Sequence, residues 1–460
     1  MMELESKKVA VIGLSRRTGV SVARFLYNKG AQVLISEIRG RNELQKELDL
    51  LADCELEYEL GGHGEKSLSV DLIVVSPGVP LDIPLFKRAR NLGIPIMGEI
   101  ELAYHFTEAR IIAVTGTNGK TTTTRMLGEI MQDSLDCQVE IAGNIGVPLI
   151  DKVEHLTPRD WVVVEISSFQ LESVKSFHPQ ISIYLNFTPD HLDRHHSKEA
   201  YWQAKKRIFA KQTEKDTAII NGDDEDIIVA ARDCRARIMR VSSRCPPKSG
   251  AYISRDWIII NLEGKSKKVL ARQEIPLPGL HNSYNTAFAV LTARTLGISI
   301  NNIQESVRKF QPDPHRMELV SSRDEVKIVD DSKATNPDAA IKALESFSTP
   351  VILIAGGQDR NANFEQLART IKKRVKKLIL LGETKDKLAT EVLKYNFKNI
   401  YKVSDMQEAV EAGFSELAAG ECFLLSPGCP SWDMYSSYRE RGNEFQKQVK
   451  KQLQLRGENI

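Results

Sequence analysis

The stretch Ile111-Ile-Ala-Val-Thr-Gly-Thr-Asn-Gly-Lys-Thr-Thr122 constrains the fold more than any other part of the chain. Ile111 to Thr115 is apolar or β-branched throughout, the composition of a buried strand. Gly116 and Gly119 then bracket a short loop. Lys120 and Thr121 follow, and the apolar spacing turns helical through Met126, Leu127, Ile130 and Met131. A strand that enters a helix through a glycine loop and Lys-Thr is the layout of a phosphate-binding loop. Glycine lets the backbone approach an anion, and the helix N-terminus presents free N–H groups. Lys120 neutralises charge, and the Thr121 hydroxyl is a ligand for Mg²⁺. The strict motif has a glycine where this chain has Val114, so the match rests on Gly-Thr-Asn-Gly-Lys-Thr-Thr. The competing reading is an ordinary glycine turn, and Gly-Lys-Thr at the turn argues against it.

A chain of 460 residues is too long for one core, so about three domains are expected. The net charge of +2 leaves no bulk field to attract nucleic acid or a membrane surface. Cys54, Cys137, Cys234, Cys245, Cys422 and Cys429 form no CxxC pair and no zinc spacing. They read as reduced, mostly buried thiols of a cytoplasmic protein. The charged start, Met-Met-Glu-Leu-Glu-Ser-Lys-Lys, runs straight into a strand, so no signal peptide is expected. The apolar runs are too short to span a bilayer.

The first third begins as a Rossmann-like βαβ unit: strand Lys8 to Leu14, helix from Thr18 to a Gly30 cap, strand Gln32 to Ser36. Its glycine fingerprint, Gly13 to Gly19, lacks the central glycine, which argues against a dinucleotide enzyme. Glu37 could hold a ribose or base edge, and Arg16, Arg17 and Arg39 a diphosphate; solvated loop charges are the alternative. Asp71 to Val75 and Ile94 to Met97 read as further strands. Ser76-Pro-Gly78 lies at a carboxyl edge where a ligand can bind. Helical spacing from Glu99 to Phe106 closes the domain near residue 107.

In the middle third, Ile141 to Gly146 reads as a glycine-rich turn carrying Asn144. The strand Trp161 to Glu165 ends in an acid downstream of the phosphate loop. That suits a Mg²⁺ ligand, with a helix-capping acid as the alternative. The strand Ile181 to Phe187 runs into Thr188-Pro-Asp-His-Leu-Asp-Arg-His195, with Asp190, His191 and Asp193 as candidate metal or phosphate groups. In the helix Lys198 to Ala210, Tyr201, Lys205, Ile208 and Phe209 share a face. Spacing alone makes Lys205 a snorkelling lysine. Residues 250 to 275 alternate as short antiparallel strands. His281, Asn282 and Asn285 open a helix to Leu296. Phe310 to Glu318 is a proline-broken linker carrying Arg316.

The last third alternates strands with helices of about 10 to 15 residues, which implies a parallel sheet. The strands are Lys327 to Asp330, Val351 to Ala355, Lys377 to Leu381, Ile400 to Val403 and Cys422 to Leu425. The loops Asp331-Ser-Lys-Ala-Thr-Asn-Pro337, Gly356-Gly-Gln-Asp-Arg360 and Ser426-Pro-Gly-Cys-Pro-Ser-Trp-Asp433 fall at strand carboxyl ends, where ligands of open α/β sheets bind.

Several of these segments together resemble the Mur ligase family. They are Gly116 to Thr122, Glu165-Ile-Ser-Ser-Phe-Gln170, Asn186 to His195, His281-Asn-Ser-Tyr-Asn285, His315-Arg316, Asp331 to Asn336 and Arg441-Gly-Asn-Glu-Phe445. The likeness spans nearly the whole chain. It implies three α/β domains: an N-terminal Rossmann-like domain (1–107), a central P-loop ATPase (108–312) and a C-terminal Rossmann-like parallel sheet (313–460). It further implies an ATP-dependent amide ligase that adds D-glutamate to UDP-N-acetylmuramoyl-L-alanine through an acyl phosphate, a cytoplasmic step of peptidoglycan precursor synthesis. By the same resemblance, Gly116, Thr117, Asn118, Gly119, Lys120, Thr121, Thr122, Asn285, Arg316 and Asp331 serve ATP. Thr121 and Glu165 hold one Mg²⁺, and His191 with a carbamylated Lys205 a second. Lys120, His191 and Lys205 are the catalytic set. Arg17, Thr18, Glu37, Ile38, Arg39, Ser76, Asn144 and Ser167 meet the UDP-sugar substrate. Lys333, Thr335, Ser431, Trp432 and Tyr438 meet D-glutamate. A monomer with small-molecule substrates is expected, with no nucleic acid or membrane partner. The linkers 107–110 and 311–318 are expected to hinge.

Two other readings compete. A relative with a different amino-acid acceptor would turn over with another amine. A non-catalytic nucleotide switch would bind ATP without acyl-phosphate chemistry; dense polar loops at so many strand ends argue against it.

Overall fold

The computed structural model describes residues 2–144, 146–277, 279–312, 314–323 and 326–456. The side chain of Asp193, one of the candidate metal or phosphate groups, lies outside the described residues. Three sheets organise the chain. The first has five parallel strands in the order β3-β2-β1-β4-β5: β1 Lys8–Ile12, β2 Gln32–Glu37, β3 Glu57–Leu60, β4 Leu72–Val75 and β5 Ile96–Gly98.

The second sheet is formed by β6 Arg110–Thr115, β7 Val139–Gly143, β8 Trp161–Glu165, β9 Ile181–Tyr184, β10 Thr217–Asn221, β11 Arg237–Ser242, β12 Gly250–Ile253, β13 Trp257–Leu262 and β14 Lys265–Ala271. Its order is β14-β13-β12-β11-β10-β9-β6-β8-β7. The pairs β12–β13 and β13–β14 are antiparallel and the rest parallel. The third sheet runs β15-β16-β20-β17-β18-β19: β15 Glu318–Arg323, β16 Val326–Asp330, β17 Val351–Ala355, β18 Val375–Leu380, β19 Ile400–Lys402 and β20 Cys422–Leu425.

The central strands are buried on both faces, which explains their unbroken apolar runs. Ile112, Ala113 and Val114 of β6 and Val162 to Val164 of β8 have no exposed surface. The phosphate-loop helix, Lys120–Gln132, buries Met126, Leu127, Ile130 and Met131 against this sheet.

Four expectations are corrected. The glycine turn at Ile141 begins as the end of edge strand β7, because β7 hydrogen-bonds β8 from Val139 to Gly143. The C-terminal sheet is not wholly parallel: β15 pairs antiparallel with β16, starting inside the segment read as a linker. The helices between its strands are nine or ten residues long, shorter than the spacing suggested. Of the six cysteines, only Cys422 and Cys429 are buried, and all are free.

The chain divides into two compact units, Met1–Ala271 with Asn285–Val307, and Arg272–Tyr284 with Arg308–Ile460. Within the first, the helix just before the 107–110 linker is tied to the rest of the unit through buried carboxylates. The short helix Glu99–Tyr104 buries two carboxylates. Glu101 accepts from the backbone N–H groups of Lys175 (2.9 Å), Ser176 (2.6 Å) and Phe177 (3.1 Å) and from the Ser176 hydroxyl. Glu99 Oε1 accepts from Ile150 N at 2.8 Å, and its Oε2 is buried without a hydrogen-bond partner. Burial, helped by nearby Asp151, raises the Glu99 carboxyl to about 7, with Arg17 opposing weakly.

A raised carboxyl favours the folded state in its neutral form. That contribution is complete below the unfolded value near 4.5 and is lost as pH rises through about 7. Glu99→Gln is therefore expected to gain about 2–3 kcal/mol of stability at pH 8 and little at pH 4. Denaturant melts at the two pH values check this.

Candidate active site

The loop between β6 and the Lys120–Gln132 helix is shaped by its glycines. Gly119 has φ +83°, the left-handed region, and a Cβ there would sit 2.2 Å from Asn285 Oδ1. The loop backbone thus lies against Asn285. Asn118 N donates to Asn186 Oδ1 (2.8 Å), and Asn186 Nδ2 returns a bond to Asn118 O (2.9 Å). The Thr117 hydroxyl donates to Thr188 O at 2.9 Å and lies 3.1 Å from the Tyr201 hydroxyl. Lys120 Nζ bends back onto the loop carbonyls of Gly116 (3.0 Å) and Thr117 (2.9 Å). Gly119→Ala combines a left-handed backbone with a clash, and is expected to weaken ATP binding about tenfold. Isothermal titration with ATP checks this.

At the foot of the loop, the Thr121 hydroxyl donates to Glu165 Oε2 and Asn144 Nδ2 donates to Glu165 Oε1, both at 2.8 Å. Three of the residues expected from sequence therefore meet at one buried carboxylate. Glu165 is not a helix cap: Ser167 caps the short helix Ser168–Leu171, its hydroxyl accepting from Gln170 N. The hydroxyl of Thr122 is buried without a hydrogen-bond partner.

Lys205 is not a snorkelling lysine. The helix Lys198–Lys206 turns it inward, 1% exposed, and Nζ donates to Gly116 O at 2.8 Å. Its Nζ lies 5.0 Å from the centre of the Tyr201 ring. Burial, with Lys120 close by, holds its pKa well below the ordinary lysine value, against the pull of Asp190 and Glu165. In the loop after β9, His191 adopts φ +53° with Nε2 3.8 Å from Asp190 Oδ2, its ring edge-on to Phe169. The buried His195 stacks on Phe169, contacts the Ser168 hydroxyl at 2.9 Å and pairs with Glu172 at 3.0 Å.

The expected UDP-sugar residues are more dispersed. Glu37 accepts from Leu14 N (2.8 Å) and from the Arg39 guanidinium (2.9 Å), and the Arg39 bond holds its carboxyl below the ordinary value despite burial. Arg39 also reaches Leu14 O, so it closes this loop instead of standing free. Ser76 turns its hydroxyl onto Gly13 O at 2.6 Å. Arg17 reaches Gly143 O at 3.4 Å, Thr18 begins the Thr18–Asn28 helix, and Ile38 is exposed.

In the second unit, buried Asp331 accepts from the Ser426 hydroxyl (2.8 Å) and Met317 N (3.2 Å). Burial raises it to about 7, with Arg316 and these bonds opposing. Arg316 Nε is buried without a hydrogen-bond partner. Lys333 lies 5.7 Å from the Tyr438 ring, and its N–H donates to His315 O at 3.0 Å. Thr335 follows in the same loop, half-buried. Ser431 is buried, and its carbonyl accepts from Met434 N and Tyr435 N. Trp432 is exposed, with the Arg360 guanidinium 4.5 Å from its ring centre.

Among the described residues one group has the spacing of a metal cluster: His315, Glu318 and Asp330. Hydrogen bonds join it already. His315 Nδ1 meets Asp330 at 2.7 Å, which raises the imidazole above its ordinary value, and Gln446 Nε2 bonds both acids. Sequence reasoning had assigned no role to Tyr201, His195 or Gln446. The first two lay inside segments already singled out, and Gln446 only joins its partners through the fold.

The Mur ligase middle domain family matches residues 114–293, the Mur ligase glutamate ligase domain residues 315–429, and the MurD-like N-terminal domain residues 7–98. The chain is 42% identical over 450 residues to a UDP-N-acetylmuramoylalanine–D-glutamate ligase of Pelotomaculum thermopropionicum, covering 98% of each chain. The same-named ligase of Clostridioides difficile is 41% identical, over 97% of this chain and 99% of that one. The fold also matches a MurF ligase from Thermotoga maritima solved with ADP, with TM-score 0.61 and 16% identity over 99% and 100% of the two chains. With a phosphate loop braced on Glu165 in the middle of three matching domains, the chain belongs to the Mur ligase family.

Proposed function

We propose that the protein joins D-glutamate to the alanyl carboxylate of UDP-N-acetylmuramoyl-L-alanine, with ATP converted to ADP and phosphate. The observation that carries this reading is that Thr121 of the phosphate loop and Asn144 after β7 both converge on Glu165, in a chain 42% identical over 450 residues to a ligase of that name. An alanyl carboxylate oxygen attacks the γ-phosphorus, ADP departs, and an acyl phosphate forms. The D-glutamate nitrogen attacks the acyl carbon and loses a proton, and phosphate leaves from the tetrahedral intermediate. Two anions must be brought together in line, so positioning and charge neutralisation are the main tasks.

Gly116 to Thr122 would cradle the phosphates, with Lys120 released from the loop carbonyls to neutralise them. Asn285, Arg316 and Asp331 would complete the ATP contacts. The hard oxygen donors of Thr121 and Glu165 fit Mg²⁺. His191 and a carbamylated Lys205 would hold a second ion, and the buried Lys205 amine suits the neutral form that carbamylation needs. Bound Mg²⁺ would offset negative charge on the transferred phosphoryl group.

Arg17, Thr18, Glu37, Ile38, Arg39 and Ser76 would serve the uridine diphosphate end, and Asn144 and Ser167 the muramoyl-alanyl end. Lys333, Thr335, Ser431, Trp432 and Tyr438 would hold D-glutamate, Lys333 by pairing with a carboxylate. Domains 1–107, 108–312 and 313–460 belong to this reading, as do a monomeric state, small-molecule partners without nucleic acid, and a cytoplasmic location. No described helix is long and apolar enough to cross a membrane.

The test is phosphate release from ATP and Mg²⁺ with UDP-N-acetylmuramoyl-L-alanine, in separate reactions with D-glutamate, L-glutamate, meso-diaminopimelate or L-lysine. Turnover with D-glutamate alone is expected. Turnover only with another amine would move the specificity. Equal release from ATP alone would sink the ligase reading.

A further inference from the structure

Among the described residues, Arg441 is the largest side chain with essentially no exposed surface. It lies in the first turn of the last helix, Tyr438–Leu455, whose N-cap is Ser437. A helix N-terminus disfavours a cation, and so does burial. Burial lowers the guanidinium to about 10, and no carboxylate hydrogen-bonds it. Its bonds go to loop groups instead. Nε donates to the Ser332 hydroxyl (3.0 Å), one terminal nitrogen to Ser332 O (2.8 Å), and the other to Cys429 O (3.1 Å).

Ser332 and Cys429 belong to two loops that leave the neighbouring parallel strands β16 and β20. The Ser332 hydroxyl in turn donates to Tyr438 O at 2.8 Å, tying the helix start into the same ring of bonds. A third loop, after β17, packs on the fork: a Cβ at Gly357 would lie 3.1 Å from an Arg441 nitrogen. One rigid planar group therefore sets the spacing of all three polar loops.

We infer that Arg441 is a positioning residue for the amino-acid subsite, fixing the loop of Lys333 and Thr335 against the loop of Ser431 and Trp432. The inference rests on the reading that those residues hold the incoming amino acid. Lysine cannot replace it: one ammonium cannot reach both loops in a fixed fork geometry.

The test is steady-state phosphate release by the full-length protein and its Arg441→Lys, Arg441→Ala and Ser332→Ala variants, with each substrate titrated in turn. Arg441→Ala is expected to raise KM for D-glutamate about thirtyfold, the loss of a charge-assisted hydrogen bond, with KM for ATP and for the UDP-sugar within about twofold. Arg441→Lys is expected to move the same constant, and Ser332→Ala to move it less. Millimolar guanidinium chloride should lower the raised KM of Arg441→Ala, while equal sodium chloride should not. Parallel rises in all three KM values, or no response to guanidinium, would overturn the inference. If Arg441→Ala does not fold, the Arg441→Lys and Ser332→Ala constants decide in the same way. Should the wild-type protein use another amine, the titration runs with that amine; only the substrate reading then fails.

Discussion

Lys205→Ala is expected to lose at least about a thousandfold in turnover, and added formate or acetate to restore part of it. The reason begins with burial. The Lys205 amine is 1% exposed, its Nζ reaches Gly116 O, and Lys120 stands near enough to repel a second ammonium. Its pKa is thus depressed, so the native state binds fewer protons than the unfolded chain between that depressed value and 10.5. Stability contributed by this group rises with pH across that window and falls as acid forces a charge into the site. A neutral amine can attack CO₂; the new N–C bond forms, the nitrogen loses a proton, and the proposed carbamate would put an anion where a lysine would otherwise stand. Loss of the side chain opens a space that a small carboxylate can enter. ¹³C-enriched CO₂ supplies a readout apart from turnover: a carbamate carbon signal in the wild-type protein that vanishes in Lys205→Ala. Full activity of the variant, or no such signal, would refute the role.

The α/β character of all three sheets was legible because strands buried on both faces must be apolar without interruption. Val162 to Val164 and Ile352 to Ile354 are plain examples. Of the strands that were overlooked, β3 and β15 lie at sheet edges, where that pressure is absent: β3 reads Glu-Tyr-Glu-Leu and is half-exposed, and β15 carries two serines. β11 lies inside its sheet, between β10 and β12, but the arginines of Arg-Ile-Met-Arg-Val-Ser interrupt its apolar run. The loops at strand carboxyl ends were legible because polar residues and glycine must replace the apolar run there. Partnerships across long sequence separations were not. Spacing put Tyr201 on the same face as Lys205, but only the fold brings its hydroxyl to Thr117, 84 residues away. Glu99 and Glu101 stand in a stretch singled out only for its helical spacing. Their burial depends on backbone N–H groups 51 and 74–76 residues downstream, which no local pattern announces.

Glu165→Gln is the second large effect, and it separates charge from shape. The carboxylate is 1% exposed and takes one hydrogen bond on each oxygen, from Thr121 and from Asn144. Glutamine has the same volume. Its carbonyl can accept from Asn144, and its amide can donate to the Thr121 hydroxyl once that hydroxyl turns to accept. Both bonds survive, so the melting temperature should change little. What disappears is the anion at the foot of the phosphate loop. Half-saturating Mg²⁺ is then expected to rise at least about tenfold, and turnover at millimolar Mg²⁺ to fall at least about a hundredfold. Nucleotide binding without metal should hold or improve, because a negative charge has left the neighbourhood of the phosphates. Thr121→Ala supplies the cross-check. If the two oxygens hold one ion, the double variant should lose little more than Glu165→Gln alone; additive losses would mean separate tasks. An unchanged Mg²⁺ requirement in Glu165→Gln would remove this carboxylate from the metal site and leave it a brace for the loop.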